Sequence, residues 1–172
     1  MSLLITACGR RATTHKEIHA PVSQLDADGT QKLVAVIEAY YKLKDALVAD
    51  DVAMADEHTL HLVTAANNLT TGDSMVSVTL QARKDTLINA CKAMLEAKNE
   101  NIEVKRIYFR QVSDAVYAIS AAAKLSNAGV YRQYCPMAFN DEGAYWLSNS
   151  REIQNPYFGR KMEECGEVTD SL

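Results

Sequence analysis

The sequence predicts a mainly α protein, a four-helix up-and-down bundle followed by a small C-terminal hairpin and loop subdomain. Three observations carry that expectation. Apolar residues recur at three- and four-residue steps in four successive stretches between Thr30 and Ala123. Short polar connections, Asp50-Asp51, Thr70-Thr71-Gly72-Asp73-Ser74 and Asn99-Glu100-Asn101, separate those stretches. After Asn127-Ala128-Gly129 the helical period stops, and aromatics and turn signals replace it. With 172 residues, 48% of them apolar, the chain is long enough to bury one ordinary core.

The first helix is expected between Thr30 and Asp50, where Leu33, Val36, Ile37, Tyr40, Leu43 and Leu47 form one stripe. Asp50-Asp51 supplies cap residues for the second, whose stripe is Ala55, His58, Leu62, Ala65 and Leu69. A third helix over about residues 78–98 carries Leu80, Leu87, Cys91, Met94 and Leu95. The fourth carries Phe109, Val112, Val116, Ile119 and Ala123 and is expected to stop near Asn127-Ala128-Gly129. Amphipathic helices joined by short connections bury their stripes against one another, which favours antiparallel neighbours. The bundle is thus assigned to residues 29–129 and a Cys/Met/aromatic-rich segment packed upon it to 130–172. In that segment Tyr131 to Met137 and Ala144 to Ser148 are extended candidates, with Asn140-Asp141-Glu142-Gly143 closing a hairpin. A short helical turn is expected from Arg160 to Gly166.

Composition removes several function classes. A net charge of -4 gives no basic field for phosphate backbones, so nucleic acid is not an expected partner. No apolar run approaches the roughly 20 residues that span a bilayer. There is no Gly-rich phosphate loop, no Cys-x-x-Cys, no His-Glu-x-x-His and no nucleophile elbow, so enzymatic chemistry is not expected. The N-terminus carries Ile5-Thr6-Ala7-Cys8, which has the form of a bacterial lipobox with Cys8 as the lipidation site. The basic and apolar regions of a working signal are missing before it. Residues 1–28 are accordingly assigned to a truncated lipoprotein signal and flexible tether, and membrane contact to an N-terminal lipid alone.

The chemistry concentrates after residue 130. The segment reads Tyr134-Cys135-Pro136-Met137-Ala138, then Trp146-Leu147-Ser148, then Asn155-Pro156-Tyr157-Phe158-Gly159, then Met162-Glu163-Glu164-Cys165-Gly166. In an extended segment Cys135 and Met137 point to one side, and in a helical turn Met162 and Cys165 share a face. Each half therefore offers a thiol and a thioether, and the turns between them can bring the halves together. Soft ligands of this kind select copper(I) or silver(I) over zinc and the hard cations. Seven acidic against three basic side chains from Asp141 onward set a field of the sign that draws cations.

Two other accounts of Cys135 and Cys165 stay open. In an oxidising compartment they form a disulfide and the methionines fill gaps, or both thiols are buried and unreacted. Cys91 lies on an apolar stripe, where a free cysteine behaves as a small hydrophobe. His58 and His61, three apart, with Met54 one turn before His58, are subsidiary ligand candidates, their ordinary role being that of hydrogen-bonded helix residues. His15 and His19 fall in the tether.

The same four elements carry a resemblance. The Cys-Pro-Met-Ala, Trp-Leu-Ser, Asn-Pro-Tyr-Phe-Gly and Met-x-x-Cys-Gly order resembles a bacterial exported family of unknown function. Its members stand alone or are fused to adaptor subunits of heavy-metal efflux pumps. The resemblance extends more loosely from about Gln31, through Tyr40 and Phe109 to Ser113. It implies a helical fold, a periplasmic location, an association with copper or related metals, and a metal-efflux adaptor or other envelope protein as partner.

Overall fold

The computed structural model describes residues 20–70, 75–97 and 101–172. Four long helices, α1 (Ala27–Val48), α2 (Val52–Asn68), α3 (Met75–Glu96) and α4 (Ile102–Ala122), are followed by a three-stranded sheet of β1 (Tyr131–Cys135), β2 (Ala144–Ser148) and β3 (Glu167–Ser171). Cap chemistry sets three helix starts. Asp26 Oδ1 accepts from the Gly29 amide at 2.7 Å, Asp51 Oδ1 from Met54 at 2.9 Å and Asn101 Oδ1 from Glu103 at 2.9 Å. Among the described residues no helix is long and apolar enough to cross a membrane.

The helix ends differ from expectation for a local reason. Asp50 and Lys124 take left-handed φ of 59° and 50°, a conformation usually left to glycine. Each sits just past its helix, where the paired bonds Asp50 N to Leu47 O and Asp51 N to Ala46 O close α1. Lys124 N to Ala121 O and Leu125 N to Ser120 O close α4 in the same way. α4 therefore stops at Ala122, ahead of the Asn127-Ala128-Gly129 signal. The tether expected to reach residue 28 is bound sooner: Val22 bridges Ser126, and the Gln24 amide donates to Ala123 O at 2.8 Å.

Consecutive helices pack on one another, and α1 also meets α4. The predicted stripes supply much of the core, with Leu33, Leu47, Leu62, Leu87, Phe109, Val116 and Ile119 fully buried, but on α2 Thr59 and Ala66 turn inward where His58 and Ala65 were expected, and those two are half-buried. A buried cation ties three of the helices together. Lys105 Nζ donates to Met94 O at 2.9 Å and pairs with Asp56 at 2.6 Å, joining α4 to α3 and α2. Tyr40 stacks on Phe109 with centroids 5.3 Å apart, and its hydroxyl bonds Ser113 at 2.7 Å and accepts from the Leu147 amide at 3.1 Å. A core tyrosine thus docks β2 on the bundle.

The sheet order is β2-β1-β3, all antiparallel. The expected hairpin is present, with register Gln133↔Trp146 and Cys135↔Ala144. Its first strand ends at Cys135 rather than Met137. Pro136 has no N–H to continue the ladder, and Phe139, Asn140 and Asp141 reverse the chain with φ of 55°, 57° and 67°. β3 was not foreseen. Its Glu167-Val168-Thr169-Asp170-Ser171 buries little, and a register shift opposite Arg132/Gln133 interrupts its ladder.

Candidate functional site

Strand parity sets up the site. Cross-strand partners point to one face, so Gln133 and Cys135 of β1 share a face with Trp146 and Ala144 of β2. The segment 149–166 lies over that face. Gln133 Nε2 donates to Ser150 O at 2.9 Å and to Glu152 O at 3.1 Å, fastening its start. Its end returns Cys165 to Cys135, with the two Sγ atoms 2.7 Å apart. Gly166 is required there, since at its φ of 148° a Cβ would stand 2.7 Å from the Trp146 ring and 2.9 Å from Tyr134 O.

Asn155 holds the covering segment in shape. Fully buried, it donates through Nδ2 to Cys165 O at 2.7 Å and accepts at Oδ1 from the Tyr157 and Phe158 amides at 2.8 and 3.3 Å. The next carbonyl, Pro156 O, accepts from Arg106 Nε at 2.8 Å. Arg106 is itself 1% exposed and spends its other nitrogens on Leu47 O, Asp50 and Glu103. One guanidinium therefore links α4, the end of α1 and the loop that positions Cys165. The left-handed Asp50 that closes α1 is what aims a carboxylate at it.

The thiol pair is sheltered on one side and reachable on the other, as Cys135 is fully buried and Cys165 half-buried. Partial burial, together with the adjacent Cys135, pushes the Cys165 thiol up to about 11. Cys165 is therefore protonated at neutral pH, and a metal or an oxidant must displace its proton. Two sulfurs bound to one ion at about 2.3 Å each stand roughly 3.8–4.6 Å apart, and a disulfide holds them at about 2.05 Å. The observed contact lies between those limits.

The other sulfur candidates sit differently. Met137 and Met162 are 47% and 36% exposed. Met137 follows the end of β1 in an αR conformation, so the extended spacing expected to align it with Cys135 is lost. Met162 (φ -152°, ψ 59°) follows a 3-10 turn, Gly159–Lys161, and no helix carries it to Cys165. The fold brings the two thiols into contact and leaves both thioethers at the surface. Cys91 is fully buried in α3, and burial pushes its thiol up to about 12. Cys8, His15 and His19 lie outside the described residues.

A second group gathers on α2. Ligand atoms of Glu57, His58 and His61 lie within 4.8 Å of one another. The two imidazoles have centroids 5.8 Å apart, and His58 Nδ1 is buried with no hydrogen-bond partner. Met54, on the same flank, is 39% exposed. Sequence reasoning passed over Glu57, whose signal is its i,i+4 step to His61. It also passed over Arg106, which no spacing pattern singles out, and the role of Asn155 inside a motif that was otherwise noticed.

A family model described as "Protein of unknown function (DUF3347)" matches residues 36–128, which cover the bundle from within α1 onward and not the Cys/Met segment. No curated protein and no solved structure matches the chain.

Proposed function

The chain belongs to the DUF3347 family, and on that premise we propose that it is a soft-metal-binding module of the bacterial cell envelope. In this reading it takes copper(I) or silver(I) on Cys135 and Cys165, for sequestration or for hand-over to an efflux adaptor or another envelope protein. The carrying observation is the 2.7 Å approach of two thiols that are 30 residues apart in the chain. The protein devotes a buried Asn and a buried Arg to that approach, more organisation than two idle thiols need. Displacing the sulfurs by about 1–2 Å opens the pair to a bridging ion, and two thiolates suit a soft monovalent cation. Met137 and Met162 are thioethers at the surface of the same subdomain, available to complete a coordination sphere or to receive the ion during exchange. Cys8, lipidated behind an upstream signal, would hold the module to a membrane in the periplasm.

Anaerobic titration of the reduced protein with copper(I) tests the reading. One tight equivalent is expected. Cys135→Ser and Cys165→Ser should each abolish it, because a hydroxyl does not replace a thiolate for a soft ion. Met137→Leu and Met162→Leu should weaken it less and leave the fold intact.

The same distance favours one second reading, a disulfide staple. Both thiols lose hydrogen to a partner disulfide, which is reduced to a dithiol, and the subdomain is locked without metal. In that case copper(I) finds no tight site. The mature protein, isolated without reductant, would be lighter by two hydrogens and would carry no reactive Cys165.

A further inference from the structure

We propose that the solvent-facing flank of α2 carries a second metal site, separate from the sulfur pair. In it Glu57, His58 and His61 bind a borderline divalent transition ion, with copper(II) held most tightly. The helix builds the site by register. Asp51 caps α2 and fixes its phase, and Ala55, Thr59, Leu62 and Ala66 turn inward. The neighbouring stripe then falls at residues 57, 58 and 61, where i,i+3 and i,i+4 spacing stacks side chains on one flank. The result is a carboxylate and two imidazoles with ligand atoms within 4.8 Å of one another, a span one ion bridges.

Three observations distinguish this cluster from ordinary surface residues. His58 Nδ1 is buried and unpartnered, so the protein leaves that nitrogen's polar requirement unmet. The adjacent acid Asp56 is already engaged by Lys105, whereas Glu57 is exposed and forms no ion pair among the described residues. Lys32, which lines the groove beside His61, is held by Asp28 at 2.6 Å. Nitrogen and carboxylate donors suit copper(II), nickel(II) and zinc(II), and the stability order of divalent ions places copper(II) first. Thioether and thiolate are absent from the set, so it has no preference for copper(I). Exposure of Glu57 and His61 leaves the remaining coordination positions to water.

The inference does not rest on the sulfur reading. The test titrates copper(II) into the full chain carrying Cys135→Ser, Cys165→Ser, His15→Ala and His19→Ala, which removes competing thiols and tether histidines. The expected result is one equivalent, with nitrogen hyperfine structure in the electron paramagnetic resonance spectrum. Adding His61→Ala should lower affinity at least tenfold, and adding Glu57→Gln several-fold, with helicity unchanged because both side chains are exposed. If the background does not fold, nickel(II) titration of the wild-type chain against its His61→Ala variant gives the same answer as one lost equivalent. Unchanged binding in the His61→Ala protein overturns the site. So does binding that disappears with His15 and His19 alone. Loss of copper(I) binding in Cys135→Ser with this equivalent retained sinks neither site, and the converse pattern removes this one only.

Discussion

Asn155→Ala isolates the link between the bundle and the thiol pair. The side chain is fully buried and makes two short hydrogen bonds, to Cys165 O at 2.7 Å and from the Tyr157 amide at 2.8 Å, and one longer bond from Phe158 at 3.3 Å. Truncation leaves the buried Tyr157 N–H without a partner, which costs about 1–3 kcal/mol. Cys165 is only half-buried, so the bond lost at its carbonyl is assigned nearer the net value of about 0.5–1.5 kcal/mol. Together these give about 2–4 kcal/mol, or a fall in Tm of roughly 5–15 °C for a chain of this size. The variant should also release Cys165 from Cys135, so that the pair shifts toward free dithiol in a glutathione redox buffer. Far-UV circular dichroism during urea unfolding reads the first effect and thiol alkylation the second. A stability change under about 1 kcal/mol with unaltered Cys165 reactivity would refute the argument that Asn155 positions the site.

Other outcomes follow from the same structure. Ile119→Ala should cost about 2–5 kcal/mol, since the side chain is fully buried in α4, and urea unfolding showing less than about 1 kcal/mol would mean the α4 face is misassigned. Gly159→Ala should cost more than the roughly 1–2 kcal/mol of a left-handed alanine, because at φ 53° its Cβ collides with the Arg106 guanidinium and the Asp50 carboxylate. A cycle with Asp50→Ala should then be non-additive. Alkaline pH should weaken the fold through Cys91. Its folded value of about 12 lies above the ordinary 9.0, so the folded state keeps a proton that the unfolded chain releases. That contribution is complete below pH 9 and declines as pH rises toward about 12, by roughly 1.4 kcal/mol per unit. Cys91→Ala should lessen the dependence between pH 9 and 10, where Cys165, raised to about 11, also contributes, before Tyr40 and Tyr41, both raised by burial, begin to do so. An unchanged slope in urea midpoints would contradict the assignment of Cys91 to the core.

The helices were legible because amphipathic period is a local property. Leu33 to Leu47 and Phe109 to Ile119 announce their buried faces through spacing alone, and Asp51 and Asn101 announce two starts. Helix ends were less legible, since Asp50 and Lys124 occupy a backbone region for which glycine is the usual signal. The hairpin partner of Tyr131–Cys135 could be read from turn residues. β3 could not, because Glu167 to Ser171 is mostly exposed and owes its pairing to an edge that β1 presents only after folding. In the site, the sequence marked Cys135 and Cys165 as chemically related, through type and motif. Their approach to 2.7 Å was decided by non-local contacts, above all the Asn155 bond to Cys165 O and the Arg106 bond to Pro156 O, which join segments 10 and 50 residues apart. Met137 and Met162 show the reverse case. Their spacings promised co-orientation, and Pro136, the left-handed turn that follows and the short 3-10 helix removed it. Spacing fixes side-chain direction only within a regular element, and where elements end it is tertiary packing that decides what each sulfur faces.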